Sequence, residues 1–241
     1  MTYSKVLVFG DSTSAGCELI PGSEDWEETK QLSFGNQLAN KLGIQCINYS
    51  WPGGSNDRSL RLLPSALLEN PNSLVLFAYT SFDRSETFTL DPALPQVQSE
   101  GYTGLGACWT IVETNKQHQS LNKLYLQHFC EDARRHNRYK EYNTLLTVQL
   151  LCQTYAKNFF HIFLYNNLIL PPDFQEPVFN AIDKKHVYQF DHAQAISWQE
   201  NNVGFGSLNN WASANRYPFC PGGHIGQVAH DQFATELYNK L

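Results

Sequence analysis

Ser12 follows a short apolar run that predicts a buried β-strand. The run spans Val6–Phe9, and Gly10 and Asp11 end it. Consecutive apolar residues of this kind are typical of strands buried on both faces of a sheet. In open α/β sheets the loops at the carboxyl ends of the strands form the ligand crevice, so the Ser12 hydroxyl is expected at the mouth of a cleft. There it could act as a nucleophile; the alternative is a strand that ends in a capped turn, because Asp-Ser is common in caps.

His224 is the candidate base for such a nucleophile. A serine that transfers acyl groups needs a base within hydrogen-bonding reach. His224 lies between the turn Pro221-Gly222-Gly223 and the last predicted helix. His230 lies inside that helix, where a histidine is expected to pack or to form a structural hydrogen bond. The sequence therefore predicts that the first and last loops meet, with Ser12 facing His224.

Two other predicted strands end in groups that could donate hydrogen bonds to an oxyanion. Gly53-Gly54 follow the second strand, and the absence of side chains would let their backbone N–H groups approach a ligand closely. Thr80 and Ser81 follow the third strand and carry hydroxyl donors. Together with Ser12 and His224, these groups describe a hydrolase site.

Strands that alternate with helices must position these residues. Four segments predict strands: Val6–Phe9, Ile44–Tyr49, Leu74–Tyr79 and Phe159–Tyr165. Apolar residues at helical spacing predict helices at about 32–42, 55–69 and 120–157, the last broken near 136–138, and a final helix at the C-terminus. The alternation predicts a single α/β domain over residues 1–241 with a doubly wound, mostly parallel sheet.

Two stretches lack helical or strand periodicity. Prolines and glycines are scattered among aromatic residues from Ser85 to about Lys116. A loop of that length is usually functional or an insertion, which favours a lid or a substrate-facing wall. Residues 166–215 are also expected to be irregular. No motif falls in either stretch, so the acyl chain and the alcohol of the substrate are not predicted.

Composition and charge narrow the classes of partner. The formal net charge of −6 argues against nucleic acid binding, which needs a concentrated basic surface. The basic cluster at 134–138 has acids around it and is interpreted as a solvated helix face. No signal peptide or membrane-spanning run is found, so a cytoplasmic location is expected. The six cysteines lack metal-binding spacing and are expected to be reduced, and no metal site is predicted.

Four short motifs resemble the blocks of the SGNH, or GDSL-type, hydrolases, and they occur in the same order. They are Gly10-Asp11-Ser12, Asn48 to Gly54, Ala78-Tyr79-Thr80-Ser81 and Pro221-Gly222-Gly223-His224. The resemblance implies a three-layer α/β/α fold of flavodoxin-like type. It also implies that Ser12 is the nucleophile and an oxyanion donor through its N–H group, that His224 is the base, and that a glycine N–H is a second donor. We favour Gly54 for that donor, with Gly53 as the near alternative.

Two positions depart from the pattern of this family. The third block usually reads Gly-x-Asn-Asp, and its oxyanion asparagine is missing here; Thr80, or Ser81, could donate a hydroxyl in its place. The last block usually reads Asp-x-x-His, but Pro221 stands where the acid belongs. The Pro221 carbonyl, or a carboxylate from elsewhere such as Asp191, could orient His224. Neither departure excludes an enzyme, because losing one oxyanion donor or the orienting acid lowers the rate without removing catalysis.

The remaining candidates have supporting roles. Asp11 is expected to brace the loop, since an acid aimed at the oxyanion would oppose its formation. Asp83-Arg84 with Glu86 is interpreted as an ion-paired brace, with direct substrate contact as the alternative.

The expected activity is therefore serine-dependent hydrolysis of a carboxylic ester through an acyl-enzyme, without a cofactor. The expected partner is a small-molecule or glycan ester, so that a carbohydrate or a lipid would be deacylated. Acyl transfer to an alcohol is an alternative. A binding module that kept the fold while losing the chemistry is another, favoured by the two altered blocks.

Overall fold

The computed structural model describes residues 2–23, 25–80, 84–89, 108–113, 133–165, 181–190 and 206–241. The strands in these residues are β1 (Lys5–Phe9), β2 (Gln45–Asn48), β3 (Leu74–Tyr79), β4 (Arg84–Thr89), β5 (Cys108–Glu113) and β6 (Asn158–Phe163). The α-helices are α1 (Trp26–Leu32), α2 (Phe34–Leu42), α3 (Asn56–Glu69), α4 (Ala133–Tyr155), α5 (Leu208–Ala214) and α6 (Gln227–Lys240).

The central sheet is parallel and has the strand order β2-β1-β3-β6. Val8 of β1 lies opposite Asn48 of β2 on one side and Leu76 of β3 on the other. The first strand of the chain is therefore an inner strand, and the strands that follow it in sequence flank it. This arrangement confirms the expected parallel α/β sheet. It also brings the loops that follow β1, β2 and β3 to one edge of the sheet.

Helices cover both faces of this sheet. Val6 and Val8 point into a core that contains residues of α2, α5 and α6. Leu7 and Phe9 point into a second core with residues of α3 and α4. All four side chains are fully buried, because successive residues of a strand face opposite sides of the sheet. The three-layer α/β/α architecture that the resemblance implies is thus confirmed.

The middle of the chain differs from expectation in two places. Helix α4 runs without interruption through 136–138, so the predicted break there is wrong; residues 120–132 lie outside the described part. Strands β4 and β5 pair antiparallel within the stretch that we expected to be irregular. The sequence of β5, Cys108–Glu113, does carry the signal for a strand, because aromatic and β-branched residues dominate it. The role of this stretch as a lid stays a prediction.

In the part of the chain that the structure describes, no helix is both long and apolar enough to cross a membrane.

His230 joins the last helix, α6, to the start of α2. Its Nδ1 atom accepts a hydrogen bond of 3.0 Å from the backbone N–H of Phe34, the first residue of α2. The imidazole also stacks on the Phe34 ring. Since Nδ1 is the acceptor, the ring is held neutral, and burial lowers the pKa of His230 from 6.5 to about 3. His230 is thus the structural histidine that the sequence predicts, and it fixes α6 against the start of α2.

The neutral state of His230 should make stability depend on pH. A histidine whose pKa is depressed in the folded state binds a proton only in the unfolded chain between pH 6.5 and about 3, so stability falls as the pH falls through that window. Each such group contributes a slope of about 1.4 kcal/mol per pH unit. Glutamine does not titrate. We therefore expect His230→Gln to reduce the slope of the free energy of unfolding against pH by that amount between about pH 6 and 4, the middle of the window. Urea unfolding at several pH values measures it.

His161 supplies a matched comparison. It is fully buried and its pKa is also lowered to about 3, chiefly by burial, so His161→Gln should reduce the slope by a similar amount. A slope in His230→Gln equal to that of the wild type would show that His230 is not held neutral.

Candidate active site

A tight turn presents Ser12 at the carboxyl end of β1. The backbone N–H groups of Ala15 and Cys17 donate hydrogen bonds of 2.9 Å to the carbonyls of Asp11 and Ser12, respectively. These bonds close the chain on itself directly after the strand, and residues 11–17 are all buried. Ser12 is buried like its neighbours, with 8% of its surface exposed, and it lines a cavity.

Asp11 is the brace that the sequence predicts for this turn. One oxygen of its buried carboxylate accepts a hydrogen bond of 2.9 Å from the N–H of Thr13. The other accepts a bond of 2.6 Å from the hydroxyl of Thr80, at the end of β3. Asp11 therefore ties the ends of two neighbouring strands together. Because the Thr80 hydroxyl already donates to Asp11, Thr80 does not fit the oxyanion role that we expected for it.

Asn48 performs a similar task for the loop that follows β2. Its side-chain amide donates to the Ser14 carbonyl at 2.9 Å and to the Ser33 hydroxyl at 3.2 Å. Its amide oxygen accepts from the N–H of Ser50 at 3.0 Å. One side chain thus connects the turn that carries Ser12, the start of α2 and the loop after β2. Sequence reasoning included Asn48 in a motif without assigning it a role.

The two glycines of the second loop have different roles. The N–H of Gly54 donates to the Trp51 carbonyl at 2.8 Å. A β-carbon on Gly54 would lie only 3.0 Å from the Gly10 carbonyl oxygen, so this glycine permits close backbone packing. Gly53 has a φ of 72° and lines the cavity beside Ser12. Our preference for Gly54 as the oxyanion donor is therefore corrected: its N–H is occupied, whereas within the described residues the N–H of Gly53 meets no acceptor.

A short hairpin presents His224 opposite Ser12. The N–H of Gly223 donates to the Cys220 carbonyl at 2.9 Å, and the N–H of Cys220 donates to the His224 carbonyl at 2.7 Å. Phe219 and Ile225 pair across this hairpin, and α6 begins two residues later. Proline and glycine are the residues that tight turns favour, which explains why Pro221-Gly222-Gly223 forms the tip.

The imidazole of His224 lies between a hydroxyl and a carboxylate. Its Nε2 atom is 2.8 Å from Ser12 Oγ, and its Nδ1 atom is 2.8 Å from Oε2 of Glu18. A carboxylate can only accept, so Nδ1–H donates to Glu18 and Nε2 is left to accept from the Ser12 hydroxyl. The two residues predicted to meet, Ser12 and His224, are thus adjacent in the structure.

Glu18 is a residue that sequence reasoning missed. It lies in the loop after Ser12, and its φ of 68° is a left-handed conformation that costs a residue with a side chain roughly 1 kcal/mol. The hydrogen bond from His224 lowers the pKa of Glu18. Pro221 is exposed, and the group at Nδ1 is Glu18 rather than the Pro221 carbonyl. The other orienting candidate, Asp191, lies outside the described residues.

A cavity of about 700 Å³ opens beside these groups. It is lined by the loop after β1, the loop after β2, the His224 hairpin and the end of β6. Its lining includes Ser12, Glu18, Trp26, Gly53, Tyr165 and His224. The Tyr165 hydroxyl is 2.5 Å from the Thr13 hydroxyl, and burial raises the pKa of Tyr165, which keeps the phenol neutral. Sequence reasoning placed Tyr165 at the end of a strand but not at the site.

For the other candidates the structure gives no side-chain contacts. Ser81 and Asp83 lie outside the described residues, and Arg84 begins β4. Their expected roles as a donor and a brace stay predictions. Within the described ranges, no group of three or more His, Cys, Asp or Glu side chains could hold a metal ion.

No protein-family model matches the chain, and no curated protein matches it. Three solved structures illustrate what it is similar to. A lipolytic protein of the G-D-S-L family from Veillonella parvula is 11% identical, with a TM-score of 0.43, over 98% of this chain and 99% of that one. The psychrotrophic esterase EstA from Pseudoalteromonas is 14% identical, with a TM-score of 0.41, over 98% and 96%.

The third similar structure is an acetyl xylan esterase from the rumen bacterium Butyrivibrio proteoclasticus. It is 15% identical, with a TM-score of 0.47, and the match covers 99% of this chain and 64% of that one. One of the three is named as a lipolytic protein of the G-D-S-L family, and the other two are named as esterases. At such low identity and TM-score, however, function has to be inferred from the residues of the site itself.

The hydrogen bond between Thr80 and Asp11 can be tested through stability. We expect Thr80→Val to lower the free energy of unfolding by about 1.5–3 kcal/mol, because a buried hydrogen bond to a carboxylate is lost while the volume is kept. Thr80→Ser keeps the hydroxyl and loses one methyl group, so it should cost about 1 kcal/mol or less. Urea unfolding of both variants measures this. A Thr80→Val variant as stable as the wild type would show that the hydroxyl does not brace Asp11.

Proposed function

We propose that this chain is a serine-dependent hydrolase of carboxylic esters, of the SGNH or GDSL type. The observation that carries the proposal is the 2.8 Å contact between Ser12 Oγ and His224 Nε2, two residues 212 positions apart in sequence. The distance lies within the range in which an imidazole can remove a proton from a hydroxyl. The pair also lies on a cavity, so that an ester could reach the hydroxyl.

In the proposed reaction, Ser12 Oγ attacks the carbonyl carbon of the ester while His224 Nε2 accepts the hydroxyl proton. The tetrahedral intermediate collapses by breaking the bond to the alcohol oxygen, which takes the proton from His224 and leaves as an alcohol. A water molecule then attacks the acyl-enzyme and gives a proton to His224. Breaking the bond to Ser12 Oγ returns this proton to the serine and releases the carboxylic acid.

Two backbone groups are the proposed oxyanion donors. Within the described residues, the N–H groups of Ser12 and Gly53 donate no hydrogen bond to the protein. Gly53 lines the same cavity as Ser12. One such donor typically contributes about 3 kcal/mol to transition-state stabilisation, because it is already fixed when the negative charge develops. Two backbone donors therefore support acyl transfer without the asparagine that the third block lacks.

The cavity favours an ester of modest size. A volume of about 700 Å³ falls within the usual range for small-molecule sites. Its walls combine apolar surface from Ile20, Pro21 and Trp26 with exposed backbone at the two glycine turns. We therefore propose a small-molecule or glycan ester as substrate.

Loss of either reacting side chain should remove activity. We expect Ser12→Ala and His224→Ala to lower kcat/KM for nitrophenyl acetate and butyrate by at least about 10³-fold, because each is needed for attack on the carbonyl. The free energy of unfolding should change by less than about 1 kcal/mol in Ser12→Ala, since the hydrogen bond between its hydroxyl and His224 joins two neutral groups. Steady-state kinetics and urea unfolding of the same preparations measure both quantities.

Ser14→Ala is the matched control. Ser14 is a buried serine of the same turn, and its hydroxyl has no hydrogen-bond partner in the described residues. It should retain the activity of the wild type. If Ser12→Ala and Ser14→Ala hydrolyse these esters equally well, Ser12 is not the nucleophile.

A further inference from the structure

Glu18 lies in the loop that carries the proposed nucleophile, Ser12. Its carboxylate contacts two residues of the hairpin opposite, His224 and Gly222. Resting on the proposed roles of Ser12 and His224, we infer that Glu18 is the positioning residue for His224. It would take the place of an acid at position 221. The acid and the nucleophile would then belong to one loop of the chain, six residues apart, and the last loop would supply only the imidazole.

The hydrogen bonds of Glu18 suit this role. Its Oε2 atom accepts from His224 Nδ1 at 2.8 Å and from the backbone N–H of Gly222 at 3.1 Å. The first bond keeps the proton on Nδ1, which leaves Nε2 free to accept from Ser12. The second fixes the carboxylate relative to the hairpin that carries His224. When Nε2 takes the serine proton, the carboxylate stabilises the imidazolium that forms.

The backbone of the hairpin leaves room for this carboxylate. A β-carbon on Gly222 would overlap Oε1 of Glu18 and would lie 2.6 Å from its Cδ. Any side chain at position 222 would therefore push the carboxylate away from His224. Pro221 has no N–H to offer, whereas Gly222 does, which matches the observed donor. The Glu18 carboxylate thus accounts for both features of the hairpin: it replaces an acid at position 221, and it occupies the space that a side chain at position 222 would need.

The backbone conformation of the loop after Ser12 places Glu18 beside His224. Gly16 and Glu18 both have left-handed φ angles, of 72° and 68°. A β-carbon on Gly16 would lie 2.6 Å from the Thr29 carbonyl oxygen, so the loop packs tightly against α1. The turn reverses the chain after Ser12 and brings Glu18 to the far side of the same imidazole. The Glu18 side chain stays 33% exposed, which lets the carboxylate remain ionised.

Kinetics of Glu18 variants test the inference. We expect Glu18→Gln to lower kcat by about 10²- to 10⁴-fold with KM changed by less than about threefold, because the acid acts on the base and not on substrate binding. Glu18→Asp, which keeps the carboxylate on a shorter side chain, should retain more activity than Glu18→Gln. Glu28→Gln, a change at an exposed acid of α1, is the matched control and should leave kcat unchanged.

A double-mutant cycle separates positioning from a general structural effect. We expect Gly222→Ala to lower kcat to a similar extent as Glu18→Gln, since it displaces the same carboxylate. In the Glu18→Gln background, Gly222→Ala should lower kcat by less than about threefold, because both changes break the same hydrogen bond. Independent, multiplicative losses would overturn the inference.

A readout without substrate keeps this test apart from the proposed function. The Nδ1 proton of His224, observed by NMR of ¹⁵N-histidine-labelled protein, should be strongly deshielded in the wild type and should lose this shift in Glu18→Gln. An unchanged His224 signal would overturn the role of Glu18, whether or not the protein hydrolyses esters. If Ser12→Ala keeps its activity but the His224 signal depends on Glu18, the proposed function fails and the contact stands. If Ser12→Ala is inactive and Glu18→Gln is as active as the wild type, only the inference about Glu18 fails.

Discussion

The structure of the site depends on one imidazole that joins the first loop of the chain to the last. His224 accepts from Ser12 on one side and donates to Glu18 on the other, at 2.8 Å in both cases. Two features of the fold make this possible. β1 is an inner strand of a parallel sheet, so its carboxyl end faces the edge at which loops converge. The final helix α6 is fixed against α2 by His230, so the hairpin before it has a defined place.

The other polar groups around this imidazole are largely used for support. The Asp11 carboxylate and the Thr80 hydroxyl bind each other, and Asn48 connects three segments of backbone. Buried polar groups are costly unless they are paired, so these bonds fix the backbone of the turn after β1. Within the described residues, the N–H groups of Ser12 and Gly53 are among those that donate no hydrogen bond to the protein. A fixed turn with unused donors beside a serine hydroxyl is the arrangement that the proposed electrostatic catalysis needs.

Much of the sheet and part of the site could be predicted from the sequence. Apolar runs are a strong signal for buried parallel strands, and Ser12 and His224 lie in short motifs with clear turn chemistry. Glu18 could not be found in this way, because its role depends on a left-handed backbone angle and on a contact across 206 positions. The choice of Gly53 or Gly54 as oxyanion donor likewise depends on which of the two N–H groups donates a hydrogen bond within the turn. The sequence also does not show that the Thr80 hydroxyl donates to Asp11, because that bond joins the ends of two strands that lie 69 positions apart.

Covalent labelling by a fluorophosphonate tests the central claim most directly. Such a probe reacts with a serine only where a base activates the hydroxyl and donors stabilise the oxyanion. Mass spectrometry of the digested protein should find a single phosphonyl adduct on the peptide that carries Ser12, and His224→Ala should abolish it. An unlabelled wild-type protein, or an adduct on a different residue with Ser12 unmodified, would contradict the account.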